Sequence, residues 1–287
     1  MDDNAGQPLR RDCACRGTDA GFVHLDCLTD YAETKSKQAS GMHQFRNPWQ
    51  VCPSCHQKYQ NELAIDIANK FVPFVRRQYP RDTQRQVEAL YVKLHTLMHM
   101  QEMLQPRQKR EAGVTADILL SMIDRMKNES PLSKRYSLVK AYAHNAHGRI
   151  ALQEGTEESA RRAVVHFEKE LEVCEAIGFI DGIAAAKGNI AIAKSKYEGG
   201  MNSEMLEASQ ELYELRVASF GEEHEVTIDT GITYAGVLQK ANRGDEAREL
   251  LIKLLATSKQ VLGPHHNITK SVESTLECVN NESIDND

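Results

Sequence analysis

The chain has 287 residues, 41% hydrophobic and 26% charged, with 35 basic against 41 acidic side chains and a net charge of −6. Those proportions suit a folded protein with its own core, and they disfavour a disordered chain or a uniformly basic nucleic-acid binder. No stretch reaches the roughly 18–20 apolar residues of a spanning helix, and the start Met1-Asp2-Asp3-Asn4 is unlike a secretory signal. A soluble cytoplasmic protein of one or two domains is expected, with no membrane and no nucleic-acid partner.

Charge is uneven along the chain: residues 1–60 balance, residues 61–140 carry +5 and residues 141–287 carry −11. Aromatic residues are only 6%, with a single Trp, which favours helices over sheets.

The first element is defined by cysteine. Five of the seven Cys fall between Cys13 and Cys55. Their order is Cys13-Ala-Cys15, then His24-Leu-Asp-Cys27, then Cys52-Pro-Ser-Cys55. Clustered thiols in a reducing compartment read as a metal site rather than as a disulfide framework. Zinc takes four N or S ligands tetrahedrally and favours close pairs that one short turn can present.

The run Cys13-Ala-Cys15-Arg-Gly, then Gly21-Phe-Val-His24-Leu-Asp-Cys27-Leu28, then Trp49-Gln-Val-Cys52-Pro-Ser-Cys55 resembles a RING-CH (RING-variant) zinc finger. The resemblance covers residues 10–58. It implies eight ligands, ordered four Cys, one His and three Cys, bracing two zinc ions. On that pattern Cys13, Cys15, Cys52 and Cys55 complete one site, while His24 and Cys27 supply half of the other. The first two ligands should precede Cys13, yet residues 1–12 hold no Cys and no His. The second site is left to Asp12, Asp2, His43 or His56, to stand empty, or to draw on a segment upstream of Met1; the last is the expectation carried forward. Pro53 matches the second loop on which RING-type ligases receive a ubiquitin-conjugating enzyme. Tyr31 stands where a Trp is usual.

From about residue 61 apolar residues recur at helical spacing. Leu63, Ile67, Phe71 and Val75 make one stripe, ending near Pro80. Val87, Leu90, Leu94, Leu97 and Met98 make a second, ending at Pro106; Ile118, Met122 and Met126 make a third, ending at Pro131. The arginines Arg76, Arg77, Arg81 and Arg85 form a basic stretch, read as a solvated helix end. His95 with His99, and His144 with His147, sit where one helix face could present both rings. They are read as ordinary helix residues for want of further ligands.

The remaining half repeats itself every 42 residues. Ala151, Ala193 and Ala235 mark one register; Ala163, Met205 and Ala247 mark a second at the same offset. Phe220-Gly221-Glu-Glu-His224-Glu-Val-Thr227 returns as Leu262-Gly263-Pro-His-His266-Asn-Ile-Thr269. Breaks between paired helices carry a Gly followed by a capping residue: Gly155 with Thr156, Gly200 with Asn202 or Ser203, Gly244 with Asp245. His224 and His266 are expected to shape their turns. Such a pattern describes a helix-pair solenoid.

Residues 134–277 resemble tetratricopeptide (TPR) repeats of the kinesin-light-chain type, whose linker reads like Leu-Gly-x-x-His-x-x-Thr. The resemblance implies a superhelix with an inner groove for a protein or peptide partner. The polar pair usual before Leu-Ala is absent, Ala191 and Thr233 standing there instead, so cargo specificity is not carried over. The fold expected is mainly α: a TPR-like helical-repeat solenoid with a small N-terminal zinc-stapled finger. Its parts are a finger at 1–60, a helical linker or degenerate helix pairs at 61–133, repeats at 134–277 and a disordered tail at 278–287. No catalytic residue is expected. The function expected is a zinc-binding interaction scaffold, with a RING-type ubiquitin ligase as the alternative.

Overall fold

The computed structural model describes residues 24–99, 105–129, 133–197, 203–264 and 266–284. Cys13 and Cys15 lie outside the described residues, as do Pro131, Gly200 and Asn202. Among the described residues the regular structure is helical apart from one isolated antiparallel bridge, Val51 to Lys58. The chain divides into two compact units, residues 1–150 and 151–287.

In the N-terminal unit, α1 (Leu25–Lys37) and α2 (Met42–Arg46) lead through a 3-10 turn at Asn47–Trp49 to a tight loop at 50–60. Then come α3 (Asn61–Gln78), α4 (Thr83–His99), α5 (Pro106–Glu129) and α6 (Lys134–Leu152). The stripes read from the sequence are the buried ones: Leu63, Ile67, Phe71 and Val75 on α3, Val87, Leu90, Leu94 and Leu97 on α4. One proline expectation changes. Pro106 opens α5 rather than closing the helix before it, because its fixed φ suits a first turn and the missing N–H is not needed there. Pro73, by contrast, lies inside α3.

A boundary at residue 60 is not a boundary of packing. Leu28 and Ala32 of α1, Phe45 of α2, Trp49, Cys52 and Tyr59 belong to the same core as Phe71, Leu94, Ile123 and Val139. Trp49 stacks on Phe71 with centroids 4.6 Å apart and planes 18° apart, and Phe45 meets Phe71 at 5.5 Å. The Trp49 indole N–H donates to Ser36 Oγ at 2.8 Å, and Ser36 Oγ donates to the Phe45 carbonyl at 2.7 Å. Both polar groups enter the core satisfied, as burial requires. The described part of the expected finger, from Leu28 to Tyr59, shares one hydrophobic body with the expected linker.

The C-terminal unit holds α7 (Glu157–Ala176), α8 (Ile180–Ser195), α9 (Ser203–Phe220), α10 (Glu225–Lys240), α11 (Gly244–Val261) and α12 (Asn267–Ile284). Consecutive helices pack against one another. Ala163, Ala193, Ala235 and Ala247, read as repeat markers, are fully buried where helices cross. Helix α12 runs on to Ile284 with Val279 only 2% exposed, so the tail expected from residue 278 is helix as far as residue 284. Val279 supplies the apolar anchor that holds it. Among the described residues no helix is long and apolar enough to cross a membrane.

Candidate functional site

His24 caps the start of α1 with an extended backbone, and Cys27 sits in the first turn, exposed. Their Sγ and Nδ1 atoms are 3.8 Å apart. With zinc bonds of about 2.3 Å to sulfur and 2.0–2.1 Å to nitrogen, two tetrahedral ligands stand roughly 3.5–3.6 Å apart. The pair therefore has close to the bite of one ion.

Cys52 and Cys55 occupy a tight return. The Cys52 N–H donates to the Gln57 carbonyl at 2.9 Å, and the His56 N–H donates to the Cys52 carbonyl at 3.0 Å. His56 takes the left-handed region at φ +57°, closing the turn so that Lys58 bridges Val51. Cys52 is buried in the core and Cys55 half-buried against it. Two thiols at the ends of one short turn are the arrangement structural zinc sites use.

Among the described residues no three His, Cys, Asp or Glu side chains converge as a metal site. The residues read from the sequence thus fall into two pairs, His24 with Cys27 and Cys52 with Cys55. Cys13 and Cys15, the expected partners of the second pair, lie outside the described residues. His56 shapes the loop of the Cys pair, and His43 lies on α2.

A feature the spacing did not reveal is a cavity of about 190 Å³ bordered by Trp49, Lys58, Tyr59, His95 and His99. The two imidazole centroids are 4.5 Å apart, and His95 stacks on Tyr142 at 5.6 Å. Burial, and then the charges of His99, Lys58, Arg135 and Arg46, push His95 down to about 4, so its ring is neutral near pH 7. Finding it required knowing that the Cys52 loop faces α4. Elsewhere His147 Nε2 lies 2.9 Å from Asp117 Oδ1 on α5, an interhelix contact.

The repeat turns are built alike. Gly221 and Gly263 take φ +83° and +88°, ending α9 and α11 in a conformation that only glycine adopts cheaply. His224 Nδ1 then accepts the Val226 N–H at 3.2 Å, and His266 Nδ1 accepts the Ile268 N–H at 3.3 Å. Thr227 Oγ1 donates back to the Arg216 carbonyl at 3.2 Å; Thr269 Oγ1 lies 3.4 Å from the Ser258 carbonyl and 2.9 Å from that of Gly263. Arg216 and Ser258 are themselves one repeat apart. Thr156 forms a reciprocal capping box with Ser159 at 3.1 Å each way, as its place after Gly155 suggested. The third expected cap shifts: Arg243 precedes α11 and Asp245 lies in the first turn, because Asn242 at φ +59° already ends α10. Of the two groove positions, Thr233 is exposed while Ala191 is buried. On α10, besides Glu225 at its start, the exposed residues Val226, Asp229, Thr233 and Lys240 form one stripe.

Two solved structures are similar to the chain. One is the crystal structure of a variant of a Podosopora anserina protein, described as a kinesin light chain with nearly identical TPR-like repeats. It is 14% identical over 82% of this chain and 95% of that chain, with a TM-score of 0.50. A second crystal structure under the same description is 13% identical over the same shares, with a TM-score of 0.48. No protein-family profile and no curated protein matches. The first likeness shows the fold, a TPR-like helical repeat, and leaves the RING-CH resemblance without a counterpart. Residues 134–287 make up only about half of the chain, so an 82% match takes in helices upstream of Lys134 as well.

Proposed function

We propose that the protein is a TPR-type interaction scaffold whose N-terminal unit is stapled by zinc. The observation that carries the scaffold reading is the turn geometry repeated at a fixed interval, Thr227 on Arg216 and Thr269 on Ser258. Corresponding seats stack the helices α9–α12 regularly, and a regular stack offers an extended face rather than an enclosed pocket. A protein or peptide partner suits such a face, which includes the exposed stripe on α10. The test uses purified complexes of the full chain. Partner crosslinks should fall on Lys240, and the double change Val226→Asp, Thr233→Arg should abolish partner binding with unaltered melting. Partners held only through residues 24–129 would overturn it.

The zinc part rests on the two pairs. Cys52 and Cys55, joined by Cys13 and Cys15, would hold one ion; His24 and Cys27 are half of a second. Zinc there would supply folding energy, closing the loops around Trp49 by bonds to deprotonated thiols. Native mass spectrometry of the wild type should find zinc, and Cys52→Ser with Cys55→Ser should remove at least one ion per chain. A wild type without zinc ends this part while leaving the scaffold untouched. Two ions per chain would direct the next assay to ubiquitin transfer.

A further inference from the structure

Between α3 and α5 runs a trough of about 410 Å³, with α4 as its floor. We infer that it is a docking site for an acidic segment of a partner protein bearing aliphatic side chains. Its floor is apolar: Val72 and Leu90 are buried there, and Val114 projects from α5 with 58% of its surface exposed. Arg76, Arg107 and Arg110 line it as well, all exposed. None of these three guanidiniums meets a carboxylate among the described residues, whereas Arg46, Arg77, Arg85 and Arg135 in the same unit each do. Lys93 and Glu111, the remaining charged lining groups, are ion-paired with each other. Among the described residues the trough therefore offers three cations without a carboxylate partner around an aliphatic strip.

That combination selects its occupant. A bare phosphate or a nucleic-acid backbone would use the cations and leave Val114 in water. Single-stranded nucleic acid would also want aromatic faces on which to stack bases, and the trough has none. An acidic polypeptide uses both features, its carboxylates on the arginines and a Leu-like side chain on Val72, Leu90 and Val114. The volume falls within the range of ligand pockets and takes side chains rather than a whole domain. The +5 carried by residues 61–140 adds long-range attraction for such a segment. This inference stands on the N-terminal unit alone and is independent of whether the α10 stripe holds a partner.

The experiment is fluorescence anisotropy on the full chain with a panel of labelled helical Glu/Leu peptides of differing Leu spacing. Controls are the same peptides with Ser for Leu, an oligouridine and inorganic phosphate. At least one Glu/Leu peptide should bind, more weakly as salt rises. Arg107→Glu with Arg110→Glu should weaken it about tenfold or more, as should Val114→Asp, with unchanged melting because all three side chains are exposed. Changes on α10 should leave it alone. Binding by no peptide, binding indifferent to both variants, equal binding of the Ser peptides, or stronger binding of oligouridine or phosphate would each overturn the proposal.

Discussion

Glu88 on α4 receives Arg135 of α6 through two parallel hydrogen bonds, Nε to Oε1 at 2.9 Å and Nη2 to Oε2 at 2.8 Å. Arg46 of α2 adds a third at 3.0 Å, and the carboxylate is almost wholly buried. The guanidinium of Arg135 also lies 4.6 Å from the Tyr91 ring centroid. One side chain thus ties the segment before the Cys loop to the helix that opens the repeat region.

Burial by itself raises the Glu88 carboxyl; Arg135 and then Arg46 more than reverse this, holding it below its ordinary 4.5. A depressed folded value means the stabilisation is complete above pH 4.5 and is lost as pH falls through the folded value. Glu88→Gln should cost about 2 kcal/mol at pH 7, less than a fully sealed pair would, since both arginines reach solvent. Urea unfolding followed by circular dichroism should show the gap to wild type closing below pH 4.5. A gap constant down to pH 3 would exclude this linkage.

His95 produces a slope in a different window. Because its folded value is near 4 against an ordinary 6.5, the unfolded chain takes up a proton that the folded chain refuses. Stability is then full above pH 6.5 and falls as pH drops towards 4. The ring keeps some solvent contact, so the loss should be about 1–2 kcal/mol. His95→Gln should flatten the curve between those limits, and an unchanged slope would assign it to other groups.

Gly182 of α8 is not there for its backbone freedom. A Cβ would stand 2.5 Å from Cys174 Sγ and 2.8 Å from Phe179 Cε1. Gly182→Ala should therefore destabilise by about 1–3 kcal/mol, although Ala is the better helix former. Adding Cys174→Ala should recover part of the loss, because the sulfur is one of the two obstacles. Additive costs in thermal melts would show that the clash lies with the Phe179 ring alone.

The repeat turns make a paired prediction. Thr227 and Thr269 are fully buried and hydrogen-bonded to carbonyls of the preceding helix or its cap. Replacing either by Val keeps the shape and orphans an acceptor, at about 1 kcal/mol each. Similar losses at the two sites would establish them as one device used twice; a neutral Thr227→Val would break the equivalence.

What the sequence made legible was local. Apolar stripes located α3, α4 and α5, and the 42-residue interval located the turns, because helix period and glycine conformation are written in neighbouring residues. Pro106 and Asp245 misled by a turn's edge, since proline serves a helix start as well as a stop, and a carboxylate serves a first turn as well as a cap. The stacking of Trp49 on Phe71, which merges the expected finger with the helices after it, leaves no trace in spacing. Neither does the meeting of Arg46, Glu88 and Arg135, nor the trough. The ligand pairs were visible as pairs; Cys13 and Cys15, the expected partners of Cys52 and Cys55, lie outside the described residues.

Trp49 is the chain's single tryptophan, 1% exposed and enclosed by Phe71 and Phe74. Nature has thereby placed one intrinsic fluorophore in one of two bodies. Its emission maximum reddens only when the N-terminal body opens, while helical ellipticity counts both. A chelator that shifted the emission and spared most of the ellipticity would be reporting, without any label, that the two halves of this molecule come apart on separate schedules.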